Sequence, residues 1–459
     1  MLLTTAMKAR IACAIVVAVG QAHAQETQLP VTSLREAIAF ARAHQPSLAA
    51  ARARAEAARE QARVPRAARL PTITAAAEGL VGTANNTTAS YATLGDLDVT
   101  RVGGTPANAP ATWSPSPSTL AGVVVHSEIF DFGRYEDQAD ALDALAHAAG
   151  EDAAVQDLDL VLLVSDSFYA VQGAKAVLAA AQSAVARSRE HRDYAEAGVK
   201  AQLRSPIELT RAEADLARFS VDEVRARGEL AVAQSVLAAA IGSPSPMVDA
   251  GTDDLAYATP PPLDRSEHAL DRDPALHAAR DRLAAQHALT QSIRDELHPD
   301  LSFSAELTGR AGGAAAADPT PSGGGWIPDV PNWDALLVVT WPVFDRVVSA
   351  RARTSERVEA VRAAEVQQVS EQLQAYVQRA YVELDIAQQA VPALKGALDA
   401  ATANDDQAEA RFKAGLGNAV ELADAEALLV DAQIQLAIGT FQLSRARARV
   451  QRALAEATR

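Results

Sequence analysis

The 459-residue sequence has little aromatic content, 4%, and a single cysteine, Cys13. Cys13 lies among the first 24 residues, where Lys8 and Arg10 precede the apolar run IACAIVVAVG and the small residues AHA follow it. This pattern is typical of a cleaved secretory signal peptide. The mature chain, expected to begin near Gln25, would therefore have neither disulfides nor thiol chemistry.

Several function classes lack the residues they need. The formal net charge of −16 becomes −18 when the signal peptide takes away its two basic residues, so the basic face required for nucleic acid is missing. The histidines are scattered without an i, i+4 pair, and GGG at 323–325 has no Lys-Ser/Thr after it. We therefore expect no enzyme, no cofactor and no metal site.

The chain also has no second long apolar run. Beyond the signal peptide no stretch approaches the roughly 20 apolar residues of a membrane-spanning helix. If this protein crosses a membrane, it does so with β-strands.

The sequence does contain an internal tandem duplication. QPSLAAARARAEAARE from Gln45 aligns without a gap with DPALHAARDRLAAQHA from Asp273. IFDFGR at 129 matches VFDRVV at 343, and IELTRAE at 207 matches VELADAE at 420. The predicted organisation is a signal peptide (1–24), a first repeat (25–241), a Pro-rich linker (242–264) and a second repeat (265–459).

Each repeat contains one very long predicted helix, at about 134–196 and about 346–411, or roughly 95 Å at 1.5 Å per residue. Val164, Val171, Leu178 and Val185 recur every seven residues, which is coiled-coil spacing. The shorter first and last helices of each repeat could stack end to end beside the long one. A surface helix or a rod would also explain the heptads, but the abundant alanines favour a wall of closely packed helices.

Two predicted strands per repeat interrupt the helices. LSFSAELT alternates apolar and polar residues, and WDALLVVTW places Trp333 and Trp341 at the two ends of one apolar face. Its eight residue steps span about 26 Å, near the height of an outer-membrane apolar band with aromatic girdles. A half-buried soluble strand is the alternative. PTITAAAEGLVG and TLAGVVVHSEIF alternate less well, and loops at 84–118 and 310–332 join the strands of each pair.

Four strands cannot close a membrane barrel, and open sheet edges are not tolerated in lipid. Oligomerisation is therefore required. Three chains would supply twelve strands, and two would supply eight.

Both long helices end in a sharp turn, in YAEAGVKAQLRSPIELTRAE at 194–213 and FKAGLGNAVELADAE at 412–426. Ser205 with Glu208, and Asn418 with Glu421, have the spacing of a helix N-cap and its capping-box acid. Asp424 lies one turn further into the helix, where backbone donors no longer need a cap.

The duplication, the strand pairs and these two turns resemble the TolC family of outer-membrane efflux channels over nearly the whole mature chain. The resemblance implies a mainly α fold with a membrane β portion, in which three protomers build a twelve-stranded outer-membrane barrel continuous with a long periplasmic helical barrel. It implies a passive trimeric conduit of a tripartite efflux or type I secretion system. The partners would be outer-membrane lipid, a periplasmic adaptor and an inner-membrane pump.

The resemblance also assigns roles to particular residues. Glu421 and Asp424, with Glu208, would narrow the pore and favour cations. The periplasmic tip that meets the adaptor would include Gly198, Val199, Gly415, Leu416 and Gly417. Trp333 and Trp341 would form part of the membrane girdle.

The tip departs from the family pattern in one respect. Family members that are latched shut use an aromatic and a basic residue where this chain has Phe412 and Gly417, so the same latch cannot form. Our hypothesis is that Arg204 or Arg211 pairs instead with Glu421 or Asp424. Two other readings of the whole chain remain open, a periplasmic coiled-coil adaptor and a coiled-coil scaffold without channel activity.

Overall fold

The computed structural model describes residues 33–83, 93–94, 97–98, 115–251, 270–312 and 330–455. The predicted signal peptide (1–24) and the linker residues 252–264 lie outside the described residues. The helices are α1 (Leu34–His44), α2 (Pro46–Gln61), α3 (Val64–Ala68), α4 (Arg134–Lys200), α5 (Pro206–Ile241), α6 (Pro274–Asp295), α7 (Arg346–Lys413) and α8 (Ala419–Ala453). The strands are β1 (Thr72–Thr83), β2 (Thr93–Leu94), β3 (Leu97–Asp98), β4 (Pro115–Phe130), β5 (Asp300–Gly312) and β6 (Val330–Thr340).

The long helices α4 and α7, of 67 and 68 residues, run through the molecule for about 100 Å each. Beside the sheet, the helices pack in the row α2, α4, α6, α7; towards the turns the row is α5, α4, α8, α7. The predicted fold class, a mainly helical duplicated chain with four long strands, is confirmed. The wall of helices is therefore one layer thick in a single chain.

The short helices stack end to end beside the long ones, by the same junction in both repeats. Gln45, which precedes α2, donates from Nε2 to the carbonyl oxygens of Ala239 and Ala240 at the end of α5, at 3.1 and 2.9 Å. In the second repeat Asp273, which precedes α6, accepts from Nη1 of Arg452 at the end of α8, at 3.2 Å. Gln45 and Asp273 are the first residues of the aligned repeat sequences. The Gln45 contact satisfies carbonyl oxygens at the end of α5, whereas the Asp273 contact is an ion pair between side chains.

At both strand-to-helix transitions an aspartate caps the start of the long helix. The carboxylate of Asp131 accepts from the backbone N–H of Gly133 and Tyr135, at 3.2 and 2.7 Å, where α4 begins. Asp345 accepts from Val347 and Val348, at 2.6 and 3.1 Å, where α7 begins. A carboxylate is favourable there because the exposed N–H groups and the helix dipole are both positive.

The largest core lies where α1, α4 and α5 meet. Its biggest fully buried side chains are Phe168, Tyr169, Leu34, Leu48, Leu237 and Ile241. A smaller core joins α7 to α8 around Val377, Leu384 and Val450. Many other buried residues are alanines, which allow the helix backbones to approach closely.

One described helix, α4, contains a stretch that is long and apolar enough to cross a membrane, by length and composition only. This differs from the sequence-based expectation that no such run exists. Val164, Phe168 and Val171 of α4 are completely buried against α1 and α5. Packing within the chain therefore accounts for part of the apolar content of this stretch, of which 39% is buried.

The four long strands form one antiparallel sheet in the order β1, β4, β5, β6. The strands are longer than predicted: β4 already begins at Pro115, β5 continues to Gly312 and β6 begins at Val330, so the predicted loops 84–118 and 310–332 were drawn too long. Trp333 lies in β6 and is largely exposed, whereas Trp341 follows the strand and donates from Nε1 to the carbonyl oxygen of Leu297 at 3.2 Å. The sheet ends at β1 on one side and at β6 on the other.

The junction of α5 with α1 can be tested at Gly242. This glycine has φ of +70°, and a Cβ there would lie 3.0 Å from the carbonyl oxygen of His44. We expect Gly242→Ala to cost about 1–2 kcal/mol because left-handed backbone disfavours a side chain, and the crowding adds to that. The melting temperature of the purified protein should fall.

Gly228→Ala is the matched control. A Cβ at Gly228 meets nothing within 4 Å, and the site is inside α5. Alanine favours helix over glycine by about 1 kcal/mol, so this variant should melt at the same temperature or higher. Equal melting temperatures for both variants would contradict the described junction.

Candidate functional site at the two hairpin turns

The two turns lie at the ends of two helical hairpins, the first formed by α4 and α5 and the second by α7 and α8. Both turns close in the same way. The N–H of Leu203 donates to the carbonyl oxygen of Gly198 at 2.9 Å, and the N–H of Leu416 donates to that of Arg411 at 2.9 Å. Each bond spans five residues and encloses a residue of positive φ, which is the geometry of a Schellman motif.

The residue in the left-handed conformation differs between the turns. In the second turn it is Gly415, with φ of +71°, but in the first it is Gln202, with φ of +57°. Gly198 instead makes room for the side chain of Arg204, because a Cβ on Gly198 would lie 2.8 Å from Cδ of Arg204. The sequence pattern correctly singled out Gly198 and Gly415, but it did not reveal that only one of them makes the turn.

The predicted caps of the following helices differ in outcome. The side chain of Asn418 accepts from the N–H of Glu421 at 2.9 Å, so this cap is confirmed. Ser205 precedes α5 but its side chain makes no capping hydrogen bond, so that part of the prediction was wrong. Glu208 is correspondingly not a capping acid: its carboxylate pairs with Nη1 of Arg204 at 2.8 Å.

The three predicted pore acids have different environments in the single chain. Glu208 pairs with Arg204, and Glu421 pairs with Nε of Arg411 at 3.0 Å across the second turn. Asp424 is exposed and has no ion pair among the described residues. Asp424 is therefore the acid whose charge is left least compensated by its own chain. No sequence pattern indicated Arg411, which stands on the opposite side of the turn from Glu421.

The two hairpins contact each other through Arg204, which is only 14% exposed. Its guanidinium lies 4.0 Å from the ring centroid of Phe412 and 5.2 Å from that of Tyr194. Nη2 also donates to the carbonyl oxygen of Phe412 at 2.9 Å. Tyr194 adds a second link, since its hydroxyl donates to the carbonyl oxygen of Lys413 at 3.3 Å. We call this group of Arg204, Phe412 and Tyr194 the clasp.

The clasp corrects the hypothesis for the latch. Within one chain Arg204 binds Glu208 and Phe412, not Glu421 or Asp424. Arg211 is exposed and forms no ion pair within the part of the chain that the structure describes. Arg204 and Phe412 do meet, but through the face of the ring and the backbone carbonyl rather than through a carboxylate.

Apolar side chains project from both turns. Leu203 is 84% exposed and Leu416 is 74% exposed, and Ile207 and Val420 at the starts of α5 and α8 are also exposed. Gly417 allows the second turn to fold back closely on α7, because a Cβ there would lie only 3.2 Å from the backbone nitrogen of Phe412. No group of three or more His, Cys, Asp or Glu residues among the described residues could hold a metal ion. Exposed apolar residues grouped in this way are typical of a surface that binds another protein.

Comparisons with known proteins agree with this architecture. A family model for outer membrane efflux proteins matches residues 37–243 and 266–456. A comparison with curated protein sequences found no match.

Solved structures show the same fold at low sequence identity. The Campylobacter jejuni CmeC outer membrane channel is 16% identical, with a TM-score of 0.78 over 92% of this chain and 85% of that one. The outer-membrane channel OprN is 22% identical, with a TM-score of 0.75 over 92% and 90%. The open state of the Neisseria gonorrhoeae MtrE outer membrane channel is 20% identical, with a TM-score of 0.71 over 92% and 89%.

These matches confirm the predicted family, fold and location. The family model covers most of the chain in two parts, as the duplication requires. The chain belongs to the outer membrane efflux protein family, as an outer-membrane efflux conduit with a periplasmic helical portion.

Proposed function

We propose that three copies of this chain form a passive channel that serves a tripartite efflux or type I secretion system. The observation that carries the proposal is that a single chain leaves open edges on both sides. Its sheet ends at β1 and β6, and the row of helices near the turns ends at α5 and α7. Strand edges in lipid must be paired, so other chains must supply the missing neighbours.

The surface of α5 supports this proposal. Its buried residues, which include Phe219, Ala226 and Leu237, face α4. With about 3.6 residues per turn, a second apolar group lies on the opposite side of the helix. This stripe is exposed in the single chain and consists of Val221, Val224, Val232 and Val236. A helix with two opposite apolar stripes is suited to the interior of a wall rather than to its end.

Helix α7, at the other end of the row, has the same property. Val377, Ala380 and Leu384 are buried against α8, whereas Val361, Val382 and Ile386 are exposed on the other side. The two unpartnered stripes belong to different surfaces, so copies would join head to tail. Head-to-tail contacts make rings when the rotation closes. Twelve strands from three copies match the barrel implied by the family resemblance.

The acids at the turns give the proposed channel its ion preference. Around a threefold axis, Glu421 and Asp424 would place six carboxylates close together. Such crowding attracts cations and makes divalent ions effective blockers. Glu208, which is paired with Arg204, would contribute less.

The exposed apolar residues of the turns are the proposed adaptor contact, together with Gly198, Val199, Gly415, Leu416 and Gly417. An adaptor would link the tip to an inner-membrane pump, which would supply the energy for transport. The adaptor and scaffold alternatives explain the long helices but not a four-stranded sheet placed between two hairpins. The channel therefore remains the proposal that uses every element.

The proposed interface predicts the effect of a buried charge. Val232→Asp should weaken the trimer, because a lone carboxylate in an apolar helix contact is costly to desolvate. Protein from outer membranes, run on a gel without boiling, should lose most of its trimer band. Asp222→Ala, a quarter of a turn round α5, should keep that band, and a full trimer band for Val232→Asp would contradict the interface.

The proposed constriction predicts an order among the acids. Asp424→Asn should lower the cation-to-anion permeability ratio more than Glu421→Gln, because Glu421 is already paired with Arg411. Reversal potentials in planar bilayers under a salt gradient measure this ratio. Glu229→Gln, an exposed acid about 23 residues into α5, is the control and should not change it. An unchanged permeability ratio in the Asp424→Asn, Glu421→Gln double variant would contradict the assignment of these acids to the constriction.

The clasp predicts a leak. Arg204→Ala removes the ring contact and both hydrogen bonds, so the two hairpins should separate more easily and the closed-state conductance should rise several-fold. Arg218→Ala is a matched control, because the guanidinium of Arg218 lies 4.7 Å from the ring of Phe219 within α5 alone. Its conductance should equal that of the unaltered channel. Equal conductance of the Arg204→Ala channel would show that the clasp does not hold the tip closed.

A further inference from the structure

A second link between the hairpins lies about two helical turns behind the tip. His191 of α4 points its Nδ1 at Oε1 of Glu426 in α8, at 3.2 Å, and its Nε2 at Oε1 of Glu409 in α7, at 3.9 Å. Arg187, one turn earlier on α4, lies 3.9 Å from the same oxygen of Glu426. Asp405, one turn before Glu409 on α7, completes what we call the buried charge cluster. All five residues belong to one chain, but they come from both hairpins.

The centre of the cluster is shielded from water, whereas Glu409 and its partner Lys413, at the edge, are 35% and 58% exposed. The side chain of Glu426 is 4% exposed and that of His191 15%, and Asp405 is buried. Helix α5 contributes only apolar packing here, since Leu216 and Phe219 contact Ala184 and Val185. No charged group of α5 forms an ion pair with His191 in the described part of the chain. In so dry a setting, each charge strongly affects the others.

Charge, more than directed hydrogen bonding, holds this cluster together. Oε1 of Glu426, Oδ1 of Asp405, and Nε and Nη2 of Arg187 have no hydrogen-bond partner among the described residues. The contact between His191 and Glu426 is therefore short but poorly aligned. Its attraction is strong only when the imidazole carries a proton.

The proton on His191 also decides the balance of charge. Lys413 pairs with Glu409, so a protonated His191 gives three cations, with Arg187 and Lys413, against the three carboxylates of Glu426, Asp405 and Glu409. Loss of the proton leaves one buried negative charge without compensation. Buried like charges from α7 and α8 then face one another and α4 is held less firmly.

The raised pKa of His191 also indicates that the contact favours the protonated imidazole. Burial alone would lower the pKa of His191, but Glu426, Glu409 and Asp405 together outweigh it and raise the pKa above its ordinary value of about 6.5. Burial raises the pKa of Asp405 as well. A raised histidine pKa stabilises the folded contact fully below about pH 6.5, and that stabilisation is lost as the pH rises through the raised value.

We propose that His191 is a proton-operated link between the two hairpins, which holds them together in mildly acidic surroundings and releases them as the surroundings become neutral to alkaline. The consequence for channel opening rests on the proposed function, but the link itself does not. In the channel, the link would make the tip harder to open at low pH. It would act alongside the clasp, which joins the same two hairpins nearer the turns.

The distance between the hairpins tests the link directly. Nitroxide labels on Ala201→Cys and Ala414→Cys, in a chain that also carries Cys13→Ala, place one spin on each turn. Pulsed electron paramagnetic resonance on the purified full-length protein should give a short, narrow distance distribution at pH 6. At pH 8 the mean distance should be longer and the distribution broader. The change between the two distributions should have its midpoint above pH 6.5.

Two substitutions at one position give opposite expectations. His191→Gln, which is never charged, should give the broad distribution at both pH values. His191→Lys, which stays charged, should give the narrow one at both. His287→Gln is the control, because His287 is an exposed histidine paired with Glu359 at 3.0 Å between α6 and α7, and it should follow the unaltered protein.

The outcomes separate the two proposals. If the unaltered protein shows no pH-dependent distance, or if His191→Gln keeps the full shift, the link is overturned whatever the conductance. If the distances behave as expected but the same samples never conduct ions in bilayers, the link stands and the proposed channel function fails.

Discussion

The unsatisfied edges of the single chain are the constraint on which the rest of the structure depends. A four-stranded sheet leaves the backbone groups of β1 and β6 without partners, and hydrocarbon offers no water to replace them. The row of helices has the matching deficiency, because α5 and α7 each expose an apolar stripe opposite the one they bury. Repetition of the same chain around an axis supplies both missing neighbours at once. The barrel and the closed helical wall would follow from that closure, as would the proposed ring of acids at the turns.

The duplication means that each structural problem is solved twice, and the differences between the solutions are informative. Asp131 and Asp345 start the long helices in the same way, and Gln45 and Asp273 occupy equivalent junctions. The turns, by contrast, diverge. The first has Gln202 in a left-handed conformation, an Arg204–Glu208 pair and no side-chain cap, whereas the second has Gly415 and an asparagine cap. The architecture is repeated where it builds the wall and differs where the two hairpins meet.

Much of this architecture could be predicted from the sequence, because heptad spacing, strand alternation and the aligned repeats are local patterns. The long helices were predicted to within a few residues, and Gly415 and Asn418 were correctly placed at the second turn, whereas Gly198 lies in the last turn of α4. What the sequence could not reveal were pairings between distant residues. Arg204 stacks on Phe412, which is 208 positions away, and His191 meets Glu426 from the other repeat. Single-sequence patterns carry no information on such contacts, so the latch hypothesis chose carboxylates by charge alone. Within one chain Arg204 binds Glu208 and Phe412 instead.

The clasp and the buried charge cluster both join the first hairpin to the second within a chain, so they govern the tip only if the chains have already closed into a ring. The most direct test of that closure is native mass spectrometry of the protein extracted from outer membranes in detergent. We predict a single assembly with the mass of three mature chains. A stable monomer that remains in the water-soluble fraction would contradict the account.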